Sequence, residues 1–99
     1  MRYNVLLENG VEDDANDAYN WYEDQQTGVG ERFLSELVDC YKQLEEHPEF
    51  YSKLSTTIRQ APLKNFPFIV VYEIRKMEVI VYAVFHTSRN PKEKFKRIH

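Results

Sequence analysis

The chain has one cysteine, three glycines and four prolines in 99 residues, and no apolar run longer than the seven residues from Val79 to Phe85. Each scarcity excludes something. Cys40 has no second cysteine to pair with, so an internal disulfide is impossible and a reducing compartment is expected. The apolar runs, Val79 to Phe85 and Phe68 to Tyr72, are far too short to cross a bilayer. The first ten residues lack a basic region followed by an apolar one, so no secretory signal is expected. Cytoplasmic localisation without membrane association follows as the expectation. The three histidines (His47, His86, His99) and Cys40 do not fall at metal-ligand spacings, so no metal site is expected. Gly28-Val29-Gly30 is not followed by Gly-Lys-Ser/Thr and is no phosphate loop. Ser88 has neither a glycine elbow nor a nearby acid with which to build a triad. No cofactor and no small-molecule substrate are expected.

What is present is enough for one packed domain, residues 1–99. Hydrophobic residues make up 42% and aromatics 14%, which favours a core over disorder. A chain of this length buries roughly 60–70% of its unfolded surface, enough without staples. The net charge of −3 conceals a division. Residues 1–50 carry 13 acids against three bases, a balance of −10; residues 51–99 carry three acids against 10 bases, a balance of +7. Two readings stand: a basic surface for an anionic partner with an acidic back, or two halves that neutralise each other in the fold.

Periodicity divides the chain further. Tyr3 to Leu7 reads as a short strand. From Val11 the apolar residues Val11, Ala15, Ala18, Tyr19 and Tyr22 recur at helical spacing, with Glu12, Asp13 and Asp14 suited to a helix N-terminus. Thr27 to Gly30 interrupts, and the glycines read as a helix end. Phe33, Leu34, Leu37, Val38, Tyr41 and Leu44 form a second helical stripe, with Cys40 at its edge as a buried structural thiol; it stops at His47-Pro48. The second half reads as strands: Ile58 to Leu63, Phe66 to Ile74 and Val79 to His86, the last two separated by a hairpin-like spacing. By the period of two, Phe66, Phe68, Val70, Tyr72 and Ile74 share a face. Likewise Val79, Val81, Ala83 and Phe85 are expected on one face and Ile80, Tyr82, Val84 and His86 on the other, both apolar, which makes this strand central. The fold class is α+β, order β-α-α-β-β-β: a helix hairpin on a largely antiparallel sheet.

The residues that could carry chemistry form a basic set in the second half: Arg59, Lys64, His86, Arg89, Lys92, Lys94, Lys96 and Arg97. Metal-free RNA cleavage needs a base, an acid and cations for the phosphorane charge. His86 could serve as base or acid, and Arg59 and Arg89 could grip a phosphate through bidentate hydrogen bonds. The structural readings are that His86 stabilises a turn, that Arg89 ties down a loop or meets an acidic partner, and that the lysines are solvated. Trp21 falls off the first helical stripe and is read as closing the side of the core, with an exposed partner anchor as the alternative.

Three stretches together resemble a known family. Trp21 to Phe33 is similar to the helix–turn–helix stretch of RelE/ParE-type toxins, in the branch called plasmid stabilisation proteins. Phe66 to Tyr72 resembles that branch's central strand, and Val81 to Pro91 its last strand with the His-x-x-Arg-x-Pro corner. The resemblance implies the toxin of a type II toxin–antitoxin pair, bound by a small antitoxin whose acidic arm would suit the basic residues Lys64, Arg89, Lys92, Lys94, Lys96 and Arg97. It implies one of two targets: DNA gyrase for ParE-like members, or mRNA cut in the ribosome for RelE-like ones, with Arg59, His86 and Arg89 the candidate catalytic groups. A degenerate toxin that survives as an antitoxin-binding or repression partner is the third possibility. Ile69, Val70 and Val71 stand where RelE-like members often carry arginine, and Phe95 has no hydroxyl. A net-acidic chain also fits poorly with phosphate-dominated ribosome binding. These departures favour the ParE-like reading.

Overall fold

A computed structural model describes residues 2–88 of the 99. The observed order is β1 (Asn4–Leu7), α1 (Val11–Gln25), α2 (Val29–Glu46), a short 3₁₀ turn (Pro48–Phe50), β2 (Ile58–Pro62), β3 (Phe68–Arg75) and β4 (Glu78–His86). The expected α+β architecture is therefore present. The sheet has the order β1-β4-β3-β2; β2–β3 and β3–β4 are antiparallel, whereas β1 runs parallel to β4. Strand β4 is central, as its doubly apolar pattern implies.

Each helix of the hairpin begins after a left-handed glycine, Gly10 (φ 91°) and Gly28 (φ 93°). The acids Glu12, Asp13 and Asp14 lie in the first turn of α1, where the exposed amides favour negative charge. The start of α2 has no side-chain cap of its own. Glu23 of α1 supplies one, its Oε1 accepting from the backbone N–H groups of Gly28 (2.9 Å) and Gly30 (2.8 Å). Gly30 is buried where the helices approach: a Cβ there would sit 2.7 Å from the Tyr19 carbonyl oxygen and 2.6 Å from Glu23 Cγ. Contrary to the expectation, the glycines do not end α1, which stops at Gln25 with Gln26 extended: Gly28 starts α2 and Gly30 permits close packing.

The main core lies between hairpin and sheet. Val11, Ala18, Phe33, Leu37, Cys40 and Leu44 pack against Val70, Tyr72, Val79, Val81 and Val84. Phe33 is fully buried and touches Tyr22, Phe66 and Phe68, with ring centroids 5.0–5.7 Å apart. A smaller cluster occupies the opposite face of the sheet: Ile58, Ile69, Val71, Ala83 and Phe85, with Leu54 and Tyr82 against it.

These clusters overturn the expected alternation along β4. Val79, Val81 and Val84 face the helices, whereas Ala83 and Phe85 face away. The register explains it: Tyr72 pairs with Val81 and Val71 with Ala83, leaving Tyr82 as an extra residue. Such a bulge puts two consecutive residues on one face and reverses the alternation beyond it. The grouping of Ala83 and Phe85 with Val79 and Val81, and of Val84 with Ile80 and Tyr82, holds for an unbroken strand and fails here for that reason.

Candidate functional site

The basic set does not converge among the described residues. Arg59 lies on β2, half-buried, and its guanidinium Nη1 donates to the carbonyl oxygens of Tyr51 (2.7 Å) and Glu49 (3.2 Å). It fastens the 3₁₀ turn to the sheet. Tyr72 reinforces the same turn from beneath, its buried hydroxyl donating to the Pro48 carbonyl. Burial is the main cause that raises the Tyr72 pKa, with the nearby Arg59 charge pulling it down. Lys64 is exposed between β2 and β3, beside a recess of about 590 Å³ that also carries Glu36, Asp39 and Lys42. Arg89, Lys92, Lys94, Lys96 and Arg97 lie outside the described residues.

His86 ends β4, paired with Phe68 and in edge contact with its ring at 5.2 Å. Its Nδ1 accepts from the Ser88 backbone N–H at 3.1 Å and lies 2.7 Å from Ser88 Oγ. A backbone N–H can only donate, so Nδ1 carries the lone pair and the neutral ring holds its proton on Nε2. The ring therefore stabilises the turn through one nitrogen and offers a donor at the other. Arg59 pairs with Tyr72, four residues along β3 from Phe68, and β3 lies between it and His86, a separation of two strand spacings. At about 3.3 Å per residue and 4.8 Å per strand, the two sites are on the order of 15 Å apart, too far to share one phosphate.

Cys40 is buried on α2, and burial, with Glu36 adding, pushes its thiol pKa up to about 12. A thiol so disposed is a core group and not a nucleophile. Among the described residues no group of three or more His, Cys, Asp or Glu side chains could hold a metal ion. Nor is any described helix long and apolar enough to cross a membrane.

The structure draws together residues that periodicity left apart. Trp21 does not close the core: it is 59% exposed, held edge-on to Tyr22 with centroids 5.1 Å apart. It borders a cleft of about 390 Å³ between α1 and the end of β4, together with Asp14, Asp17 and His86. The i, i+4 relation of Asp17 and Trp21 was the available signal for their shared face. The presence of His86 there was hidden by the bulge.

The chain matches known proteins over most of its length. A family model described as the ParE toxin of type II toxin–antitoxin systems, parDE, matches residues 5–91. The Toxin ParE2 sequences of two Mycobacterium tuberculosis strains are each 28% identical to it over 92 residues, covering 92% of this chain and 88% of theirs. A chain of the chromosomal ParDE system of P. aeruginosa superposes with a TM-score of 0.73 at 14% identity, covering 88% of this chain and 98% of its own. A free E. coli RelE toxin mutant superposes with a TM-score of 0.55 at 16% identity, over 98% of this chain and 94% of its own. The fold is thus common to both toxin types, while the sequence matches lie on the ParE side. The chain belongs to the ParE toxin family of type II toxin–antitoxin systems.

Proposed function

We propose that this toxin arrests growth by inhibiting DNA gyrase through protein–protein contact, and that its cognate antitoxin, the partner that family membership implies, holds it inactive in the cytoplasm. The observation that carries the choice of target is the placement of Arg59. A nuclease acting through Arg59, His86 and Arg89 needs its cations on the phosphate that the acid and base serve. Arg59 instead holds two backbone carbonyls of the chain itself, on the opposite side of β3 from His86 and on the order of 15 Å from it. Contact inhibition makes no such demand, because it needs a complementary surface and no assembled proton-transfer pair. Lys64 and the bases Arg89, Lys92, Lys94, Lys96 and Arg97 give the second half its positive charge and are the groups assigned to an acidic partner surface.

The test is a pair of assays on one preparation of purified toxin. Supercoiling of relaxed plasmid by gyrase is expected to stop at toxin concentrations that leave mRNA intact on translating ribosomes. Ribosome-dependent mRNA cleavage with normal supercoiling would reverse the assignment.

A further inference from the structure

Helix α1 carries more than the hairpin needs. Asp14, Asp17 and Trp21 recur at spacings of three and four, which sets them along one side of the helix, with buried Ala18 among them. Opposite stands the end of β4, where Val84 and His86 face the helices only because the bulge at Tyr82 reverses the strand. A small alanine on one wall and a re-aimed strand on the other leave the 390 Å³ cleft open.

Its chemistry selects a cation. Trp21 presents an exposed indole, and the negative face of an indole attracts a cation more strongly than any other aromatic side chain. Asp17 is exposed one turn away and makes no hydrogen bond or ion pair with the described residues. Asp14 accepts from the Val84 N–H at 3.2 Å, so its negative charge is fixed to the sheet at the cleft's inner edge. Among the described residues, no lysine or arginine lines the cleft. Ala18 and Val84 supply an apolar passage for the stem of a long side chain. A planar guanidinium can stack on an indole and bond a carboxylate in the same plane, which an ammonium cannot.

From this arrangement we infer that the cleft between α1 and the end of β4 docks an arginine side chain of a polypeptide partner, stacked on Trp21 and paired with Asp17. The inference does not depend on the gyrase assignment, and its test contains no gyrase. Trp21 is the only tryptophan in the chain, so intrinsic emission reports the cleft directly. The probes are the blocked tripeptide Leu-Arg-Leu and its forms with citrulline or glutamate at the centre. Citrulline keeps the length and planarity of arginine and removes the charge. The arginine peptide is expected to change the Trp21 emission saturably, and the citrulline and glutamate peptides to bind at least about tenfold more weakly. Asp17→Asn should weaken the arginine peptide by a similar factor with an unchanged thermal midpoint, since Asp17 is exposed and bonds no described residue. Equal binding of arginine and citrulline peptides, full binding by Asp17→Asn, or no saturable response to any peptide would each overturn it.

Discussion

Glu23 and Gly30 show how much of the hairpin rests on two side-chain choices. The Glu23 carboxylate reaches across the turn to two amides that α2 leaves without partners, and Gly30 allows α1 to come close enough for that reach. Gly30→Ala would place a methyl carbon within 2.8 Å of Tyr19 and Glu23 atoms, including a backbone oxygen that cannot move independently. We expect a loss of about 1–3 kcal/mol from overpacking, read as a lower denaturation midpoint at unchanged slope. A wild-type midpoint would show that the helices part at little cost. At this scale the sequence was partly legible. Gly28-Val29-Gly30 announced a turn, but residue types alone did not separate the left-handed glycine from the close-contact one. Arg59 was legible as a cation and not as a fastener of carbonyls, because backbone acceptors leave no trace in a residue list.

Among the elements, β4 decides most of the architecture, and its bulge is testable through deletion. Val71 pairs with Ala83 and Tyr72 with Val81, so removing Tyr82 would join two correctly paired segments without turning any side chain over. Deletion of Tyr82 should therefore give a protein that still melts cooperatively, with reduced stability from loss of the Tyr82 hydroxyl bond to Glu73. Deletion of Val84 should destabilise more, because it either turns Phe85 towards the helices or, if the bulge is lost instead, puts Tyr82 in the place of the buried Ala83. Circular dichroism melts of the two deletions decide the matter: a Val84 deletion as stable as the Tyr82 deletion would overturn the assigned register. The strand's existence, its central place and its two apolar faces were all readable from Val79 to His86. Its change of phase was not, since Tyr82 suits either face and a seven-residue apolar run carries no alternation to interrupt. The same ambiguity concealed the cleft, which exists only where the reversed strand meets α1.

For the molecule as a whole, the buried titratable groups set a limit on the alkaline side. Burial pushes the Cys40 thiol up to about 12, and burial with the Glu73 hydrogen bond raises the Tyr82 phenol to about 12. Tyr72 and Tyr41 are also raised, chiefly by burial. All ionise more readily in the unfolded chain, thiols near pH 8.5 and phenols near pH 10. The stability they contribute is complete below those values and is lost as the pH rises towards the folded-state values. The thermal midpoint should therefore stay level up to about pH 8.5 and fall between about pH 9 and 12. Cys40→Ala should flatten the early part of that fall; an unchanged profile would mean that the thiol is reached by solvent in the native state. The overall charge division was plain in the sequence. How its two halves are arranged was not, because the order of charges along the chain does not say which face of the fold each one occupies.

The parallel pairing of β1 with β4 has a consequence for the order of synthesis. Asn4 to Leu7 are among the first residues made, yet their one sheet neighbour among the described residues is β4, through Glu78 to Val81. Until β4 has been translated, β1 has no strand to join and β3 lacks one of its two neighbours. Chains lengthen at about 5–20 residues per second, so β1 must wait several seconds for its partner. A nascent toxin is therefore an incomplete sheet until translation is nearly finished, and any frameshift or stop before β4 yields fragments that cannot close.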